Sequence, residues 1–279
     1  MALCVYKMLD RRLEKTKLNA YMVYIKYDGS NYACFDELKD KKTVKGYFKD
    51  LLKKENIDVY KGIQQAGRTD KDVSANENIL YFMSEKENID TLLKYDMVIK
   101  IQKTIPYLEF PELIEKRKYI FSYPKEFILN SREKIEKLCY DLSGKKDFSK
   151  FTTKKGKYLK NTVRDIHIEY IDDSLIFIGD SFLPHQVRIM SSFILTNALK
   201  PLDGKYLVLD KIYLSKTLED LILYPYTLDL DTVVYCEKSV KYTIIYTTDF
   251  SKMIGKNGKN IKKLNMGNKV IVRRGKYDI

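Results

Sequence analysis

Two hydrophobic rhythms alternate along the chain. YMVYIKYDGSNY (21–32) is a strand-like run that ends on an Asp-Gly turn. TVKGYFKDLLKKE (43–55) changes period. Val44, Phe48, Leu51 and Leu52 fall at i, i+4, i+7 and i+8, which is one face of a helix. Strand patterning returns in NIDVYKGI (56–63), at 77–83, and in short runs near 97–103. KRKYIFSYP (116–124) predicts a strand stopped by Pro124. The second half repeats this rhythm. A helix is predicted over 130–142, with Asn130 or Ser131 as its cap and Glu133 in the first turn. NTVRDIHIEYIDDSLIFIGDSF (161–182) predicts a hairpin turning at Asp172-Asp173. A helix follows over 183–199, starting at Pro184, with Val187, Met190, Ile194 and Ala198 as its buried stripe. Weaker strand signals stand at 207–213 and 231–236. The expected class is α/β (α+β), with a largely antiparallel central sheet built from two ferredoxin-like halves, 1–125 and 126–237.

Composition narrows the class. The 279 residues are 44% hydrophobic and 32% charged, the balance of a globular chain with a sizeable core. No window approaches the roughly 18 apolar residues of a membrane span. The charged N-terminus reads as a surface helix or arm rather than a signal peptide. Cys4, Cys34, Cys139 and Cys236 are far apart, and the chain has only two histidines, so no zinc site is expected. Reduced thiols and a cytoplasmic setting fit that cysteine usage. The net charge is +13. Residues 238–279 hold eleven Lys and Arg against Asp249 and Asp278, a net +9, which leaves +4 for the rest. A basic end on a near-balanced body points to a polyanion partner, with a solubilising tail as the competing reading.

Four constellations carry candidate chemistry. AGRTDKDVSA (66–75) places Arg68, Asp70, Lys71 and Asp72 in one hairpin connection. A turn needs its Gly, Asp and Ser but not the arginine. Asp70 is a candidate nucleophile or base at a loop tip, against a plain turn aspartate. Tyr119, in KRKYIFSY, is either a half-buried strand aromatic or a stacking surface for a base. In FLPHQVRIM, Arg188 either snorkels to solvent or partners a carboxylate and keeps it ionised. His185, beside it, reads first as a capping or packing residue. MIGKNGKNIKKL (253–264) fails the P-loop spacing. Its Gly255, Lys256, Asn257 and Gly258 instead form a G-x-x-G loop between two short helices, flanked by strand-like VKYTIIYT and NKVIVRR. That is the element order of a KH module, whose glycines admit a nucleic-acid backbone. Lys259, Lys262, Lys263, Arg273 and Arg274 add its basic face, so 238–279 is read as a small KH-like RNA-binding segment.

YDGSNY, AGRTDKDVSA, KRKYIFSY, and DFSKF followed by FLPHQVRIM occur in one order over roughly 21–237, and together they resemble the tRNA pseudouridine synthases of the TruA type. GRTDKDVSA is similar to the family's catalytic loop, in wording closer to its archaeal and eukaryotic members. The resemblance implies a cofactor-free isomerase working in a catalytic cleft. It would cleave a uridine glycosidic bond, turn the base and rejoin it through carbon 5, in the anticodon arm (positions 38–40). Asp70 then matches the essential aspartate, Arg68 the arginine that displaces the target nucleotide, and Tyr119 the tyrosine that stacks on uracil. Arg188 matches the arginine paired with the carboxylate. The implied partner is tRNA, with a homodimer compatible. Three positions depart from the pattern. Ala33 and Cys34 replace a usual histidine and glycine, Asp72 stands at a usual glycine, and Phe121 at a common second tyrosine. A non-catalytic RNA-binding or tRNA-folding protein on the same scaffold is the alternative.

Overall fold

A computed structural model describes residues 2–153, 161–264 and 266–275. Helix α1 (Ala2–Lys15) leads into β1 (Asn19–Tyr27), α2 (Val44–Lys54), β2 (Tyr60–Gln65), β3 (Ser74–Ser84) and β4 (Val98–Thr104). The second half runs β5 (Ile114–Ser122), α3 (Arg132–Leu142), β6 (Gly144–Asp147), β7 (Val163–Ile171), β8 (Ser174–Gly179), α4 (Gln186–Thr196) and β9 (Leu207–Leu214), then α5 (Lys216–Glu219). In the first half the strands lie in the order β4-β1-β3-β2, and in the second β9-β5-β8-β7, with β6 beyond. Each order is that of a ferredoxin-like unit, and every pairing within the halves is antiparallel. A 3-10 turn, Asp90–Lys94, replaces the second helix of the first unit.

Local chemistry accounts for most of these elements. Thr43 caps α2 through its hydroxyl, and the residues it buries are Val44, Phe48, Leu51 and Leu52. Ser131, not Asn130, caps α3. Asp172 and Asp173 both take left-handed φ values, 48° and 58°, the two-residue turn of a tight hairpin. Two expectations change. Helix α4 ends at Thr196, because Asn197 enters the left-handed region at φ 61°, so Ala198 lies outside the helix and is exposed. Strand β6, GKKD, has no apolar signal; its ladder with β7 alone makes it a strand.

The two halves meet over a short contact. The long β3 pairs with β2 through Leu80, Tyr81 and Met83. On the same edge, Ser74 and Ala75 pair parallel with Val208 and Leu209 of β9. Residues 66–73 occupy the point where that edge changes partner.

A second sheet contains β10 (Tyr224–Pro225), β11 (Val233–Lys238), β12 (Tyr242–Thr247) and β13 (Lys269–Arg274). Helices α6 (Phe250–Ile254) and α7 (Lys259–Lys263) lie between the parallel strands β12 and β13. The sheet begins at Tyr224, so a boundary at 237/238 falls at the end of β11, one of its own strands. Tyr242, Ile244 and Ile271 join the main core. Cys236, Ile245, Met253 and Val272 form a second small core under α6 and α7. Arg273 faces inward and is 5% exposed. It donates to the carbonyls of Leu13 and Leu18 and to the Tyr246 hydroxyl. It therefore ties the second sheet to the last turn of α1 and to the link before β1, and the expectation that it contacts RNA does not hold for a guanidinium so enclosed. Among the described residues no helix is long and apolar enough to cross a membrane.

Lys103 of β4 reaches Glu237 of β11 at 2.9 Å, and the Glu237 side chain is 2% exposed. Removing one partner strands a buried charge. Lys103→Ala is expected to lower the unfolding free energy by about 3 kcal/mol in chemical denaturation, and Lys103→Met/Glu237→Leu to recover most of it.

Candidate active site

The loop from Ala66 to Val73 is held on several sides. Asn78 of β3, fully buried, accepts from the Gly67 amide at 3.1 Å and donates to the Gly67 carbonyl at 2.9 Å. The Thr69 hydroxyl meets that of Tyr27 at 2.9 Å. Val73 N donates to the Asp70 carbonyl, which closes a tight turn around residues 71 and 72. Two glycines press on this turn. A Cβ on Gly29 would stand 2.4 Å from the Val73 carbonyl, and one on Gly204 would stand 2.2 Å from the Lys71 oxygen. Both contacts are with backbone, so neither position has room for a side chain. The YDGSNY motif therefore acts here through its glycine, whose amide also donates to Ser74 Oγ at 3.0 Å.

Asp70, Tyr119 and Arg188, far apart in sequence, line one cleft of about 860 Å³. Arg188 Nη1 donates to Asp70 Oδ2 at 3.1 Å. Its Nε donates to the Leu202 carbonyl at 2.6 Å, which fixes the guanidinium from the far side. The Arg188 side chain is 15% exposed and that of Asp70 is 32% exposed, so the pair is partly desolvated while the carboxylate still faces the cleft. His185 Nε2 lies 3.6 Å from Asp70 Oδ1, and its Nδ1 meets Thr153 Oγ1 at 3.2 Å. His185 has φ 60° at the start of α4 and makes no side-chain cap, so its ring serves the cleft and not the helix end.

Tyr119 is buried, and its ring meets Phe182 edge-on at 5.2 Å and 86°. Burial pushes its phenol well above the usual tyrosine range, so it stays protonated at neutral pH. Arg117, two residues earlier on the same face of β5, also lines the cleft. Its Nε donates to the Ala66 carbonyl at 2.8 Å and its Nη1 to the Asp180 carbonyl. No motif in the sequence marks Phe182, whereas the alternation of β5 puts Arg117 beside Tyr119. Four formal cations in the lining, Arg68, Lys71, Arg117 and Arg188, face two carboxylates, Asp36 and Asp70, so the cleft favours an anionic ligand.

Arg68 is exposed and sits 3.7 Å from Asp36 at the cleft wall. Asp72 has φ 62°, which accounts for the glycine usual there. Its carboxylate approaches Lys71 at 3.8 Å, whereas the ion-pair partners of Asp70 are Arg188 and His185. Phe121 is fully buried against Tyr123 and Tyr206 and does not line the cleft, so no hydroxyl is missing there. Cys34 does line it, with its thiol donating to the Asp36 carbonyl.

The remaining candidates are not in the cleft. Gly255 and Gly258 take φ values of 71° and 73°, and Asn257 between them 55°. Lys256, Lys259, Lys262, Lys263 and Arg274 are exposed around them. Tyr246 of this unit meets Asn19, the first residue of β1, while Tyr27, the last, meets the loop at Thr69. The basic unit and the cleft are therefore at opposite ends of β1, about 26 Å apart along the strand.

A family model described as tRNA pseudouridine synthase matches residues 138–205, the stretch that holds His185 and Arg188. The tRNA pseudouridine synthase A of Oceanobacillus iheyensis is 28% identical over 207 residues, covering 61% of this chain and 79% of its own. That of Caldicellulosiruptor saccharolyticus is 28% identical over 251 residues, covering 77% and 98%. An archaeal relative of the same name, from Methanosphaera stadtmanae, is 28% identical over 194 residues, covering 64% and 70%.

Gly204→Ala places a methyl group against the Lys71 carbonyl. It is expected to cost about 1–3 kcal/mol of stability and to raise hydrogen exchange in residues 66–73, measured by mass spectrometry.

Proposed function

The chain is a member of the TruA family of pseudouridine synthases, and from that premise we propose that it isomerises uridine to pseudouridine in tRNA, with Asp70 as the catalytic carboxylate. The observation that carries this reading is the meeting of Asp70, Arg188 and Tyr119 in one cationic cleft. The chemistry needs an ionised carboxylate beside a flat, water-poor surface for the base. Arg188, itself anchored on Leu202, pairs with Asp70 and holds its carboxylate in one orientation. Tyr119 and Phe182 provide the apolar wall for uracil.

In this reading Asp70 either attacks the anomeric carbon or removes a ribose proton. The bond from carbon 1′ to N1 breaks, the base turns, the bond to carbon 5 forms, and the proton on carbon 5 leaves. The target must first be extruded from its stack, at a cost of a few kcal/mol. Arg68, exposed on the loop, is the side chain we assign to that displacement, with Lys71 on neighbouring phosphates. The target is a uridine of the anticodon arm, at positions 38–40. The same reading puts the enzyme in the cytoplasm, and a homodimer is consistent with it. The departures behind a non-catalytic alternative lie off the reacting atoms, since Phe121 is outside the cleft and Asp72 meets Lys71.

The KH-like unit serves as a second grip on the RNA. Its distance from the cleft means that one tRNA touching both does so at two separated points. Lys256, Lys259, Lys262, Lys263 and Arg274 supply phosphate contacts, and Gly255 and Gly258 admit the backbone.

Asp70→Asn is expected to abolish tritium release from carbon-5-labelled uridine in tRNA while tRNA affinity changes less than threefold, within about 0.7 kcal/mol. Full turnover by this variant would overturn the assignment. Lys256→Glu/Lys259→Glu is expected to weaken tRNA binding and to flatten its log–log salt dependence by about 1–2. An unchanged slope would remove the unit from the RNA interface. Deleting 238–279 is a poorer test, because Tyr242, Ile244 and Ile271 belong to the main core.

A further inference from the structure

A second hollow, of about 710 Å³, lies on the other flank of the catalytic loop. Ser74, Ala75 and Asn76, which follow the loop, form part of its lining, as do Tyr32, Tyr47 and Tyr95. All three rings are partly exposed. Lysine ammonium groups already stand over them. Lys42 lies 5.0 Å from the Tyr32 ring and 5.5 Å from that of Tyr47, and Lys94 lies 5.3 Å from that of Tyr95. In the lining itself Lys26 and Lys94 are matched by Asp28 and Asp96, so the hollow carries no net formal charge. A phosphate gains little there. A neutral, flat, hydrogen-bonding group with a π-face gains stacking on tyrosine and polar partners in Asn76 and the carboxylates.

We propose that this hollow is a second nucleobase site, which stacks an unpaired base of the same RNA whose target uridine enters the cleft. The proposal rests on the reading of the cleft as a uridine site. The two sites share one wall. Tyr27 lines the hollow, packs edge-on against Tyr32 at 6.2 Å, and holds Thr69 through its hydroxyl. Thr69 precedes Asp70. A base stacked at Tyr32 and Tyr47 therefore lies beside the support of the catalytic loop without displacing it, and Lys42 at the rim meets the adjoining phosphate.

The chain has no tryptophan, so one introduced indole reports on this place alone. Tyr95→Trp and, separately, Tyr47→Trp are to be titrated with a tRNA transcript while emission is recorded. Quenching that saturates with the tRNA affinity is the expected result. Unquenched emission from both variants while tRNA binds would overturn the site. In turnover, Tyr47→Ala/Tyr95→Ala is expected to raise KM for tRNA about tenfold, the loss of one stacked base, with kcat within twofold. Tyr47→Phe/Tyr95→Phe is expected to restore it, because stacking needs the ring and not the hydroxyl. A phenylalanine pair as weak as the alanine pair would overturn stacking as the cause. The quench needs no turnover. A wild-type protein that forms no pseudouridine would sink the functional reading, whereas an active protein with unquenched indoles would sink only this site.

Discussion

Strand β3 changes partner once along a single edge, from β2 to β9, and the rest of the molecule is arranged around that change. Only Ser74 and Ala75 pair with β9, so the join between the halves is a short parallel ladder. The edge cannot serve both neighbours at one level, and the chain leaving β2 has to turn out of the sheet there. That turn is the loop carrying Asp70. Glycines from each half, Gly29 and Gly204, lie against its backbone, so the loop is wedged between the halves. A loop so enclosed keeps its side chains in place without regular structure of its own.

Electrostatics follows from the same wedge. Arg188 comes from α4 of the second half and Asp70 from the first, so their contact forms only when the halves are joined. Partial burial strengthens the pair, and the Leu202 carbonyl takes up another guanidinium donor, which limits the desolvation penalty. Arg117 does the same at the other wall, bonding the carbonyl of Ala66 at the root of the loop. The cleft thus has a net cationic lining, within which the Asp70 carboxylate is held by Arg188.

The second sheet uses charge differently. Arg273 and Glu237 are turned inward and paired or bonded, whereas Lys256, Lys259, Lys262 and Lys263 face solvent. A net charge of +9 over 42 residues therefore overstates the free cationic surface, since Arg273 is a structural bolt. The sheet packs on the start of β1, which separates its basic loop from the cleft and makes two-point contact with one large ligand the geometry it suits.

Local sequence determined the parts that short-range physics governs. The stripe of α2, a cap for α3 at Asn130 or Ser131 and the Asp172-Asp173 turn depend on neighbours within a few residues, and all were legible; the structure chose Ser131. The GRTDKDVSA loop stood out because its charges exceed what a turn requires, but only the family resemblance singled out Asp70 within it. Tertiary structure decided the rest. Strand β6 exists only through its ladder, Ala198 is exposed because Asn197 ends the helix before it, and Phe121 leaves the cleft because its face of β5 continues into the core. His185 reads in sequence as a capping residue, and its place 3.6 Å from Asp70 arises from the joining of two halves more than a hundred residues apart. Periodicity encodes which face a side chain takes on its own element; it carries no record of which distant element that face will meet.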